Sequence, residues 1–111
     1  DTPAIKVFIA TGITDMRKSF NGLYGLVKTL LQQDPLSGHL FVFSNRSRDR
    51  LKILYWDGSG LWVCAKRLEK GTFRWPQPGD KSIEVTRAEL NLLLGGIDLR
   101  DCHKRNWLRQ K

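Results

Sequence analysis

The sequence predicts an α+β domain. It should have an antiparallel sheet of four to six strands, one long amphipathic helix on one face, and a short helix near the C-terminus. Three observations carry this. Ile5 to Ala10 is an extended apolar run, apolar residues recur at steps of three and four from Met16 to Gln33, and four short extended runs lie between His39 and Trp75. A chain of 111 residues with 41% hydrophobic and 27% charged residues suits one globular domain. The predicted boundaries are a domain over 1–99 and a basic tail over 100–111.

Ile5, Val7 and Ile9 alternate with Lys6, Phe8 and Ala10, the period of a strand. Thr11-Gly12 ends it. Thr14 or Asp15 can cap a helix, since a short side-chain oxygen accepts an orphan backbone N–H. Met16, Phe20, Leu23, Tyr24, Val27, Leu30 and Leu31 then form one helical face over about Met16 to Gln33. Gly22 and Gly25 each weaken that helix by about 1 kcal/mol relative to Ala. Asp34-Pro35 stops it, and Ser37-Gly38 turns the chain. The extended runs His39–Ser44, Arg50–Asp57, Leu61–Leu68 and Thr72–Trp75 follow. Their short connections predict a meander of hairpins. Ile83–Val85 is a candidate further strand. Thr86-Arg87-Ala88-Glu89 is a capping box opening a helix with Leu90, Leu93 and Leu94, ended by Gly95-Gly96.

Hairpin register decides which side chains share a face. Closing the turn at Gly58-Ser59 pairs Tyr55 with Trp62 and Ile53 with Cys64. Closing the preceding hairpin at Ser44 and Arg50 pairs Phe43 with Leu51 and Phe41 with Ile53. One face then carries Phe41, Phe43, Leu51, Ile53, Tyr55, Trp62, Cys64 and Leu68, and the long helix is expected to cover it. The other mixes apolar Leu40, Val42, Leu54, Trp56 and Val63 with Arg50, Lys52 and Arg67. Arg50 falls opposite Arg67, and a two-residue turn at Lys70-Gly71 adds Arg74 to the row. A three-residue turn would instead set Lys66 opposite Arg74. Like charges directly opposed are unfavourable by roughly 0.2–1 kcal/mol per pair. Such a row is relieved by an anion, by a partner's carboxylates, or by solvation over neighbouring rings.

Lys and Arg number 19 against 11 Asp and Glu, a net charge of +8. An excess of that size points to an anionic partner: nucleic acid, an anionic membrane or an acidic protein. No apolar run approaches the roughly 20 residues that span a bilayer. Cys64, Cys102, His39 and His103 have no metal-ligand spacing, and free thiols in a reducing cytoplasm are expected. Asp57-Gly58-Ser59-Gly60 fits a hairpin turn and lacks the following helix of a phosphate cradle. The carboxylates are scattered, so no active site, metal or cofactor is expected. Basic residues interleave with aromatics around Arg46 to Trp56 and Lys66 to Trp75, a pattern suited to phosphate contacts with stacking.

Several segments together resemble a known family. They are Thr14-Asp15-Met16-Arg17-Lys18, Asp34-Pro35-Leu36-Ser37-Gly38, Leu51-Lys52-Ile53-Leu54-Tyr55-Trp56-Asp57-Gly58, Lys66-Arg67-Leu68-Glu69-Lys70-Gly71, Phe73-Arg74-Trp75-Pro76 and Leu93-Leu94-Gly95-Gly96-Ile97-Asp98. The chain is similar to the small accessory protein, of the TnpB or second-open-reading-frame type, of bacterial insertion sequences of the sixty-six family. The resemblance implies a role in transposition beside a separate, larger transposase that carries the catalytic residues. The expectation is a non-catalytic accessory protein whose partners are DNA and that transposase. The expected DNA contacts are Arg17, Arg46, Arg48, Arg50, Lys52, Lys66, Arg67 and Arg74. The alternative is a module docking on the transposase through Leu40, Leu54, Trp56 and Val63 without touching DNA.

Overall fold

A computed structural model describes residues 4–95. The predicted boundary at 99 and the tail, with Cys102 and His103, lie outside the described residues. The elements run β1 (Val7–Ala10), α1 (Phe20–Thr29), β2 (Leu40–Ser44), β3 (Arg50–Trp56), β4 (Leu61–Arg67), β5 (Ser82–Val85) and α2 (Arg87–Leu93). The five strands form one sheet in the order β4-β3-β2-β1-β5. It is α+β as expected, but mixed rather than antiparallel throughout. β1 pairs with β2 in parallel, and the other neighbours are antiparallel. The parallel pair is central, and every residue of β1 and β2 is buried. Strands covered on both faces read as continuous apolar runs, as Val7–Ala10 and Leu40–Phe43 do.

The β3–β4 register is the expected one: Tyr55 faces Trp62, Ile53 faces Cys64, and Arg50 faces Arg67. The β2–β3 register differs by one residue, with Phe41 opposite Leu54 and Phe43 opposite Lys52. The connecting loop holds one residue more than expected. Asn45 Oδ1 accepts from the N–H groups of Asp49 and Arg50, and Arg48 takes a left-handed φ of 55°. A slip of one residue moves a strand's side chains to the other face. Phe41 and Phe43 therefore join Phe8, Ala10 and Leu54 under Leu23 and Val27 of α1. Leu40 and Val42 join Ile53, Tyr55 and Cys64 under Leu90 and Leu94, beside α2. The long helix thus covers Phe41 and Phe43 as expected, but on β3 and β4 it covers Leu54 and Val63, expected on the open face, and not Ile53, Tyr55 and Cys64. The expected docking set is divided: Leu40 and Leu54 are buried on opposite faces, and only Trp56 and Val63 stay half-buried.

α1 spans ten residues, not Met16 to Gln33. Its start is delayed because Asp15 is used in a turn: its Oδ1 accepts from Arg17 N at 2.9 Å, and its backbone oxygen accepts from Lys18 N. Its end is set by Gln32 at φ 54°, where Gln33 N donates back to Val27 O. Thr72–Trp75 is no strand. Its backbone instead meets the β2–β3 loop, with Phe73 N donating to Arg48 O at 2.7 Å.

α2 opens on the expected capping box. Glu89 N donates to Thr86 Oγ1 at 3.0 Å, and Thr86 N donates to Glu89 Oε1 at 2.9 Å. Thr86→Ala should lower stability by about 1 kcal/mol, read as a lower urea midpoint with unchanged slope.

The β3–β4 turn is held by a carboxylate. Asp57 Oδ1 accepts from Ser59 N and Gly60 N, and Oδ2 accepts from Trp62 Nε1 at 2.6 Å. The indole N–H first, then the two backbone N–H groups, hold this carboxyl well below its ordinary 3.8. A depressed folded-state value means the stabilisation is complete above the unfolded value and is lost as pH falls through the folded one. The urea midpoint should therefore decline from about pH 4 downward. In Asp57→Asn the decline should be shallower. An acid arm of equal steepness in both proteins would contradict this role.

Candidate nucleic-acid interface at the basic end of the sheet

Strand direction collects the charge. β1, β2 and β4 end at the same edge of the sheet where β3 and β5 begin. The segments meeting there are 11–19, 45–50, 67–75 and 80–81. They carry nine cations, Arg17, Lys18, Arg46, Arg48, Arg50, Arg67, Lys70, Arg74 and Lys81, against four carboxylates, Asp15, Asp49, Glu69 and Asp80.

Hydrogen bonds stitch these segments together. Thr11 N donates to Lys81 O and Thr14 N to Ser44 O. Thr11 Oγ1 donates to Asp80 O, and Leu68 N donates to Asp49 O. Arg48 is the central tie. Its guanidinium donates to Gly12 O and Thr11 O, each at 3.0 Å, and lies 5.1 Å from the centre of the Trp75 ring. Trp75 Nε1 in turn donates to Ala10 O at 3.0 Å. Burial pulls the Arg48 pKa down from its ordinary value, although an arginine stays charged at neutral pH.

The eight expected DNA contacts separate by what they already hold. Arg17 forks onto Asp15 at 2.7 Å and holds that carboxyl down at about 2. Arg67 pairs with Glu69 at 3.0 Å, and both side chains are largely exposed. Exposed pairs of this kind are weak and can exchange for a phosphate. Lys52 Nζ donates to Lys18 O, ahead of α1. Lys66 Nζ donates to Leu94 O, at the C-terminal end of α2 and on the other face of the sheet. Arg48 faces inward onto carbonyls. Arg46, Arg50 and Arg74 are exposed, and none has a side-chain hydrogen bond or ion pair among the described residues. The expected row of three arginines is a pair, Arg50 and Arg67, with Arg74 on the loop beyond.

Because α1 starts late, an open hollow of about 550 Å³ remains over the start of β3 and the end of β4, lined by Met16, Arg50, Lys52, Ala65, Arg67 and Glu69 among others. Exposed Ala65 leaves room between the cations. The expected contact set left out Lys18, Lys70 and Lys81, although Lys70 belongs to the basic and aromatic pattern of 66–75. Strand direction is what brings them to this end. No group of three or more His, Cys, Asp or Glu among the described residues is placed to hold a metal ion. Among them, too, no helix is long and apolar enough to cross a membrane.

The family model described as IS66 Orf2 like protein matches residues 5–104. Two relatives come from Sinorhizobium fredii (strain NBRC 101917 / NGR234). The uncharacterized protein y4hO is 45% identical over 96 residues, which cover 86% of this chain and 84% of the relative. The uncharacterized protein y4jC is 39% identical over 94 residues, 85% of this chain and 80% of the relative. No solved structure matches significantly.

Proposed function

The chain belongs to the IS66 Orf2-like family and is an accessory protein of an insertion element; from that premise we propose that it is non-catalytic and binds DNA backbone through the basic end of its sheet. One observation carries the reading. Nine cations face four carboxylates on four segments held together by backbone hydrogen bonds, and three of the arginines have no partner among the described residues. Fixed cations spaced along a surface neutralise phosphates and release condensed counterions, so the affinity gained falls steeply with salt. Base-specific contact is not required for this. The element's transposase would supply the chemistry, and the accessory protein would hold or present the DNA.

The test is a fluorescence anisotropy titration of labelled transposon-end duplex, beside an unrelated duplex, at 50 and 200 mM salt. The expected result is binding of both at low salt that weakens by about tenfold or more at the higher salt. Absence of binding at low salt would sink the DNA reading.

A second reading has its own observation. Leu92 on the outer side of α2 is 81% exposed. On this reading Leu92 is a contact for the transposase itself. Capture of the transposase that survives nuclease treatment, and is lost in Leu92→Ser, would favour it.

A further inference from the structure

Ile13 sits in the loop after β1, at the basic end of the sheet. Its neighbours Thr11 and Thr14 are buried at 3% and 5% exposure, yet Ile13 is 54% exposed. The frame around it is pinned on both sides. Thr11 N bonds to Lys81 O at 3.1 Å, Thr14 N to Ser44 O at 2.8 Å, and the Arg48 guanidinium takes the Thr11 and Gly12 carbonyls. The loop therefore has little freedom to fold the side chain away. A single exposed apolar residue on a surface needs no explanation. This one lies on a loop that the same bonds tie to Ser44, Arg48 and Lys81, with Arg46 and Arg17 on the segments that follow Ser44 and Thr14 in sequence.

We infer that Ile13 is a wedge that enters a base-pair step of the bound duplex, so that the protein kinks the DNA it holds. The inference rests on the DNA reading given above. An apolar side chain pushed into a step partly unstacks it and bends the duplex away, while flanking cations draw in the phosphates on either side. A β-branched side chain suits the task, because it is stiff at χ1 and has no polar atom to desolvate. The bend brings more of the duplex against the cations on neighbouring loops, and this offsets the unstacking.

The experiment measures energy transfer between dyes at the two ends of a short duplex saturated with protein at low salt. Wild type is expected to raise the transfer, corresponding to a bend of roughly 20–90°. Ile13→Ser should abolish the rise while affinity falls less than about tenfold, because the phosphate contacts remain. Leu36→Ser, at the opposite end of the sheet and also exposed, should bend DNA like wild type. Both variants should melt like wild type, since neither residue is in the core. Binding without bending by wild type, or full bending by Ile13→Ser, overturns the wedge and leaves the DNA reading standing. If wild type binds no DNA at low salt, the DNA reading fails first and the wedge with it. A pull-down in which Ile13→Ser loses transposase but keeps its bend on DNA would assign the residue to protein docking and also overturn the wedge.

Discussion

Replacing Arg46, Arg50 and Arg74 together by glutamate should lower DNA affinity by at least about a hundredfold at 0.15 M salt, with the fold unchanged. Each phosphate contact contributes a salt slope of about 0.9, equivalent to about 1 kcal/mol at that salt. Three lost contacts then amount to about 3 kcal/mol, and charge reversal adds repulsion. The plot of log affinity against log salt should flatten by about 2.7. Stability should hold, because none of the three side chains bonds to another described residue. The checks are anisotropy at several salt concentrations and a thermal melt. A triple variant that binds like wild type would remove the basic end from the interface.

Arg48 has the opposite signature. Arg48→Ala should destabilise the protein by about 2–3 kcal/mol, because two charge-assisted hydrogen bonds and a contact with an aromatic ring are lost together. For a domain of this size that lowers the melting temperature by roughly 10–20 °C. Arg48→Lys should recover only part of it, since an ammonium cannot reach both carbonyls in the planar fork of a guanidinium. Arg48→Gly should be more stable than Arg48→Ala by about 1 kcal/mol, because φ of 55° strains any residue with a Cβ. DNA affinity should fall in Arg48→Ala only as far as the loops lose their arrangement. A variant of normal stability that fails to bind DNA would mean that Arg48 touches phosphate directly.

These two predictions divide residues that are alike in sequence. Arg46, Arg48 and Arg50 are alternate positions in one short stretch, and composition treats them equally. Only the fold shows that Arg48 turns inward, and the cause is a backbone torsion with no one-residue signature. The β3–β4 hairpin was readable because Asp57-Gly58-Ser59-Gly60 is a short turn that admits one register, and the Arg50–Arg67 pair follows from it. The β2–β3 loop is longer, and the Asn45 side chain adds a residue to it. That one-residue difference sets Phe41 and Phe43 beside Leu54 in place of Ile53, so α1 covers the other face of β3 and β4 than expected, and Leu40 and Leu54, expected together on the open face, are buried on opposite faces. The parallel β1–β2 pair was present in the sequence as two all-apolar runs joined by a helix. Reading strict alternation into Ile5–Ala10 hid it. The α2 capping box was readable because both of its hydrogen bonds are local.

The location of the DNA contact is tested most directly by mapping backbone amide shifts as a short duplex is titrated into the isotopically labelled protein at low salt. The expected shifts cluster in 11–19, 45–50, 67–75 and 80–81, with the Asp34–Gly38 and Asp57–Gly60 turns unmoved. Shifts confined to those two turns, or to the outer side of α2, would contradict binding at the basic end.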